Sequence, residues 1–129
     1  MNSRILESIN MSIRVKLSIH QTEINRLIGS ELELTLKAGS CIVDAVKAVD
    51  EEISKRTITF PVKGYRSLLH MVYHPVEERF YKQVAVQAYE KPGVFIPVRQ
   101  NPKMPLPDQA MIILIPEGPC ISEWEDVVN

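Results

Sequence analysis

Residues 110–115, Ala-Met-Ile-Ile-Leu-Ile, form the most apolar run of the chain, and Pro116 ends it abruptly. Six such residues are too few for an ordinary helix and about right for a strand buried on both faces. A strand of that kind lies in the middle of a sheet, so other strands must flank it. The run follows a proline-punctuated turn, Pro105-Leu106-Pro107-Asp108-Gln109, and leads into Glu117-Gly118-Pro119-Cys120.

Two alternating segments supply flanking strands. Residues 12–20 place Ile13, Val15, Leu17 and Ile19 on one face, with Arg14, Lys16 and Ser18 on the other. That pattern is a half-buried strand with one wet face. Residues 31–37 alternate again through Leu32, Leu34 and Leu36. The ten or so residues between them carry Ile24, Leu27 and Ile28 before the breaker Gly29-Ser30, and an antiparallel hairpin is the simplest arrangement. Residues 1–10 suit a short helical turn or a loose arm.

The period then changes. Ala38-Gly39-Ser40 reads as a turn, with Ser40 as the expected N-cap. Over residues 41–54, Ile42, Val43, Val46, Val49 and Ile53 fall at spacings of three and four, which predicts one helix with a single apolar stripe. Its β-branched residues lower helix propensity, so packing on the sheet must supply most of its stability.

Residues 57–91 are harder to read. Residues 57–62 alternate through Ile58, Phe60 and Val62, but Pro61 confines any such strand to a sheet edge. Residues 65–73 fit a short helix or a strand equally well. Residues 80–89 read as a strand with Val84 and Val86 inward. Glu90-Lys91-Pro92-Gly93 forms a turn, and residues 94–99 return as a strand whose proline again argues for an edge.

Composition narrows the functional classes. A chain of 129 residues fits one domain with a real core. Hydrophobic residues at 45% and charged residues at 24% are ordinary globular values. A net charge of −1 with scattered Lys and Arg leaves no footprint for nucleic acid. No apolar run approaches the roughly 20 residues that span a bilayer, and residues 1–10 lack the apolar stretch of a signal peptide. The expectation is a cytoplasmic protein with no nucleic-acid or membrane partner. Cys41 and Cys120 are expected as free thiols there.

The order of strand, loop, strand, helix, intervening segment, short strand, proline-aspartate turn and final apolar strand resembles a β-grasp (ubiquitin-like) domain. Residues 13–19, 32–53 and 105–116 look like the sulfur-carrier branch of that α+β fold, the small subunit of molybdopterin synthase and the thiamine-biosynthesis carrier. The resemblance implies a mixed sheet crossed by one main helix, with the first strand and residues 110–115 adjacent and parallel at its centre. Residues 57–89 are then an insertion supplying edge structure, and residues 117–129 are a C-terminal tail on a single domain. The family commonly has Leu-x-Asp-Gly-Asp before the last strand, where this chain has Gln109 and Ala110 in place of Gly and Asp.

The tail departs from the family. Sulfur carriers end in a free Gly-Gly, whose carboxylate is adenylated and converted to a thiocarboxylate, and two glycines let that tail thread a narrow tunnel. Here Gly118 stands alone beside Pro119, and the chain continues to Val127-Val128-Asn129. The resemblance therefore implies a ubiquitin-like interaction module or accessory subunit without carrier chemistry. The alternative is a sulfur carrier exposed by processing after Gly118, against which Pro119 at the next position argues. Ser122-Glu123-Trp124-Glu125 fits a capping box, which puts Trp124, Val127 and Val128 on one face of a short helical turn. That face docks on the protein's own sheet or anchors a partner. Trp124, Ile115 and Pro116 are the candidate contacts for a protein partner, and unpaired edges in the insertion invite self-association.

No phosphate loop, nucleophile elbow or paired-carboxylate motif is present, so neither an enzyme nor a cofactor is expected. His70 and His74 have the four-residue spacing of metal ligands on a helix, but Pro75 argues against a helix that far, and no metal site is expected. Cys41 at a helix start is expected to be a buried structural thiol. A Cys41–Cys120 disulfide is expected to be absent.

Overall fold

The computed structural model describes residues 11–116. These form an α+β structure around a mixed five-stranded sheet. Strand β1 (Ser12–Ile19) leads through helix α1 (Thr22–Ile28) into β2 (Glu31–Lys37). The two strands pair antiparallel, with Val15 opposite Leu34 and Leu17 opposite Leu32. Helix α1 begins at Gln21, whose side-chain oxygen accepts the Ile24 N–H at 2.7 Å.

Helix α2 (Ile42–Ser54) buries Ile42, Ala45, Val46, Val49 and Ile53. Its N-cap is Cys41, one residue beyond the expected Ser40. The substitute cap comes from within the helix, because the Asp44 carboxylate accepts the Cys41 N–H at 2.9 Å. An acid in the first turn also suits the positive end of the helix.

Residues 57–62 form bends instead of a strand, and Ile58 is fully exposed. Pro61 has no N–H to give a ladder, so alternation alone does not recruit this segment. Helix α3 (Leu68–Val72) follows, capped by the Ser67 hydroxyl, and settles the ambiguous stretch as a helix. It runs directly into a two-stranded ribbon of β3 (Tyr73–His74) and β4 (Arg79–Phe80), separate from the main sheet.

Strand β5 (Ala85–Lys91) pairs with β6 (Val94–Ile96) and with the last strand, β7 (Ala110–Ile115). The side-by-side order is β2-β1-β7-β5-β6. Residues 85–89, expected in an edge-forming insertion, thus belong to the interior of the main sheet. The segment between α2 and β5 is a helix and a separate ribbon, with no added edge on the sheet. Strand β6 is an edge, and it ends before Pro97.

Strand β7 lies at the centre, parallel to β1 and antiparallel to β5. Adjacency to β1 follows the sequence expectation. The turn before β7 locks this pairing. Arg14 donates its N–H to Asp108 Oδ1 at 2.8 Å, and Gln109 donates its own N–H to the Arg14 carbonyl at 2.7 Å. Gln109 has φ 67°, a left-handed value usually left to glycine.

One core joins these parts. Leu17, Ile112 and Leu114 from the sheet meet Val46 and Val49 from α2 and Leu68, Val72 and Tyr81 from the segment between α2 and β5, all essentially inaccessible. Each fully buried aliphatic side chain contributes roughly 1.5–3 kcal/mol. The loop before β7 is tied to the start of α2 by the Leu106 N–H, which donates to the Ser40 carbonyl at 2.8 Å.

Candidate functional site

Two surfaces stand out, and they lie on different parts of the fold. The first is the sheet face turned away from α2. Alternation on β7 sends Ala110, Ile112 and Leu114 into the core and leaves Met111, Ile113 and Ile115 on the other side. Register then builds a row across the sheet. Lys16 on β1 is opposite Met111, Met111 is opposite Tyr89 on β5, and Tyr89 is opposite Phe95 on β6. A second row joins Ser18, Ile113 and Gln87.

This face is apolar along its middle. Phe95 is 66% exposed and Ile115 is 37% exposed. The Tyr89 and Phe95 rings stack obliquely with centroids 4.8 Å apart. A depression of about 360 Å³ opens among Tyr89, Pro92, Met111 and Ile113, bounded by Lys16 and Glu31. The adjoining strands β1 and β2 carry charge, and Arg14 lies 3.7 Å from Glu33. An apolar and aromatic centre with a polar rim is the anatomy of a protein interface.

Ile115 and Pro116, the expected partner contacts, differ in exposure. Ile115 sits at the end of β7 opposite Ala85, on the open face. Pro116 is buried. Trp124 and Gly118 lie outside the described residues. Pattern reasoning missed Met111, Ile113, Tyr89 and Phe95. A fully apolar run such as β7 hides which half of its residues faces out, and only pairing with the alternating β1 assigns it.

The second surface is a cleft of about 550 Å³ between α2 and the segment that follows it. Cys41, Val43, Asp44 and Lys47 from the first turns of α2 form one wall. Arg66, Ser67, Leu69 and His70 form the other, with Tyr73, Glu78 and Lys103 closing the end. Cys41 is half-buried and free, not a buried core thiol. Its thiol lies 3.4 Å from Asp44 Oδ2. The fold also brings Lys103 into the same cleft, a cation that the neighbouring sequence does not offer. Cys120 lies outside the described residues.

His70 accepts the Arg66 N–H on Nδ1 at 3.0 Å, and its ring meets Tyr65 edge-on. Burial, then the nearby Arg66 charge, pulls its pKa below the usual imidazole value. The Tyr73 phenol is held above its usual range, first by burial and then by the Glu78 charge. Glu78 is bound to Lys103 at 2.7 Å, which raises the Lys103 pKa. His74 lies on β3, past the end of α3, and its Nδ1 accepts the Glu77 N–H at 3.0 Å. His70 and His74 therefore do not share a helix face. His74 shapes the β3–β4 turn.

Among the described residues no helix is long and apolar enough to cross a membrane. Comparison with protein families, with curated proteins and with solved structures finds no match to the chain.

Proposed function

We propose that the protein is a β-grasp (ubiquitin-like) interaction domain, an accessory subunit without carrier chemistry, that docks a partner protein on the open face of its sheet. The observation that carries this reading is the row Met111–Tyr89–Phe95 beside Ile113 and Ile115. With the β3–β4 ribbon set aside, the strands lie in the order second, first, fifth, third, fourth, with α2 between the second and third. That order is the β-grasp order and supports the fold part of the reading. The partner fits as a protein presenting an apolar patch flanked by mixed charge, because Lys16 and Glu31 frame the depression.

A photo-crosslinker at position 113 tests the docking face, with a second chain labelled at Lys47 as the control. The expected result is a discrete adduct in extract from position 113 alone, lost in Phe95→Ser. Equal labelling from both positions would sink the docking face. The rival reading, a carrier activated at Gly118, is tested by incubation with an adenylating enzyme, ATP and a sulfur donor. A mass matching a thiocarboxylate at a trimmed Gly118 overturns the accessory-subunit reading.

A further inference from the structure

The cleft between α2 and α3 is independent of the sheet face, and its polar groups are unevenly matched. Its two acidic groups are already engaged. Asp44 accepts from the Cys41 N–H, and Glu78 receives both contacts from Lys103 Nζ, at 2.7 and 2.9 Å. Two cations on opposite walls, Lys47 and Arg66, have no carboxylate within 4 Å among the described residues. His70 adds a donor. With Nδ1 accepting from Arg66 and the ring neutral, its proton resides on Nε2. The cleft thus holds three cations, Lys47, Arg66 and Lys103, against two carboxylates, Asp44 and Glu78. Between the polar groups lie the apolar surfaces of Val43 and Leu69. A volume of about 550 Å³ suits a small ligand, and apolar walls with a few placed polar groups are the usual make-up of such sites.

We propose that this cleft binds a small organic anion with an apolar body, its charged end between Lys47 and Arg66 and its body against Val43 and Leu69. The shared chemistry is an aryl or alkyl carboxylate or phosphate ester. Both cations are exposed, so they attract the anion without a large desolvation cost, and the walls supply the remaining contact.

Cys41 reports on the site because its side chain lines it. In a Cys120→Ser chain it is the sole thiol, and its alkylation by iodoacetamide is followed by mass. Phenyl phosphate and benzoate, as separate arms, distinguish the two anion classes. At least one is expected to slow alkylation in a saturable way, while inorganic phosphate and phenol do not. Lys47→Glu with Arg66→Glu is expected to raise the half-protecting concentration by about tenfold or more, with the melting temperature unchanged. The same titration read by the His70 imidazole NMR signal does not depend on Cys41 reactivity. No saturable response by either readout, equal protection in the doubly substituted chain, or equal protection by inorganic phosphate overturns the proposal.

Discussion

The carboxylate of Asp50, in the middle of α2, accepts the backbone N–H of Leu68 at 2.7 Å and thereby starts α3 from another element. Its second oxygen accepts the Leu69 N–H at 3.0 Å. Isolated helices much shorter than about 12 residues are marginal, and α3 has five. Asp50→Ala leaves two partly buried donors without acceptors and is expected to cost about 2–3 kcal/mol, measured by urea unfolding. Asp50→Asn keeps one acceptor and is expected to cost less. Burial is the largest influence on the acid and outweighs the two N–H bonds, which holds its pKa above 3.8. Its proton-linked contribution to stability is therefore full below pH 3.8 and is lost as pH rises through the folded value. The stability of the native chain relative to Asp50→Asn is expected to fall over that window.

Asp108 carries the opposite sign. The Arg14 N–H is the first cause that lowers its pKa below 3.8. Its contribution is present above 3.8 and is lost as pH falls through the lower folded value. Asp108→Ala is expected to lower the melting temperature at pH 7 and to match the native chain at the acid end of a pH series. A constant difference at all pH values would contradict this role.

Gln109 holds φ at 67°, a region that costs a side-chain-bearing residue about 1–2 kcal/mol. Glycine removes that strain and returns roughly 0.5–1 kcal/mol in chain entropy. Gln109→Gly is expected to stabilise by about 0.5 kcal/mol and Gln109→Val to destabilise by about 1 kcal/mol or more, read from denaturant midpoints at constant slope.

Arg99 gathers the loop that joins the ribbon to β5. Its guanidinium donates to the carbonyls of Val84 at 2.5 Å, Tyr81 at 2.9 Å and Lys82 at 3.3 Å. Arg99→Met is expected to cost about 2–3 kcal/mol. Arg99→Lys is expected to recover only a minor part, because an ammonium cannot fork to three carbonyls. Faster amide exchange at Val84 and Ala85 would localise the loss.

Phe95 tests the docking face without disturbing the fold. It is mostly exposed and its main aromatic neighbour is Tyr89. Phe95→Ser is expected to cost less than about 1 kcal/mol in thermal unfolding while abolishing the crosslink from position 113.

The parts of the fold legible in the sequence are those with a clean period. Strands β1 and β2 alternate, α2 repeats at three and four, and the short apolar run of β7 fits only a central strand. The segment outside the sheet was not legible, because its order comes from distant residues. Helix α3 depends on Asp50, 18 positions away, and the following loop depends on Arg99, 15 to 18 positions away from the carbonyls it binds. The cleft was equally hidden, since residues near 41, 66, 73 and 103 meet only in the folded chain. The second face of β7 was not legible: the run reads as buried on both faces, yet Met111 and Ile113 are half-buried and Ile115 is exposed, because the sheet is covered on one side only.

The parallel pairing of β1 with β7 has a consequence for how the chain is made. Val15 meets Ala110 and Ile19 meets Leu114, so the centre of the sheet stays open until residues some 95 positions beyond β1 have been made. Until then β1 and β5 each present a bare edge to the same empty slot, and bare edges recruit foreign strands. A nascent chain halted before residue 110 is thus a trap for its neighbours, and the arrival of β7, more than any local element, closes the sheet.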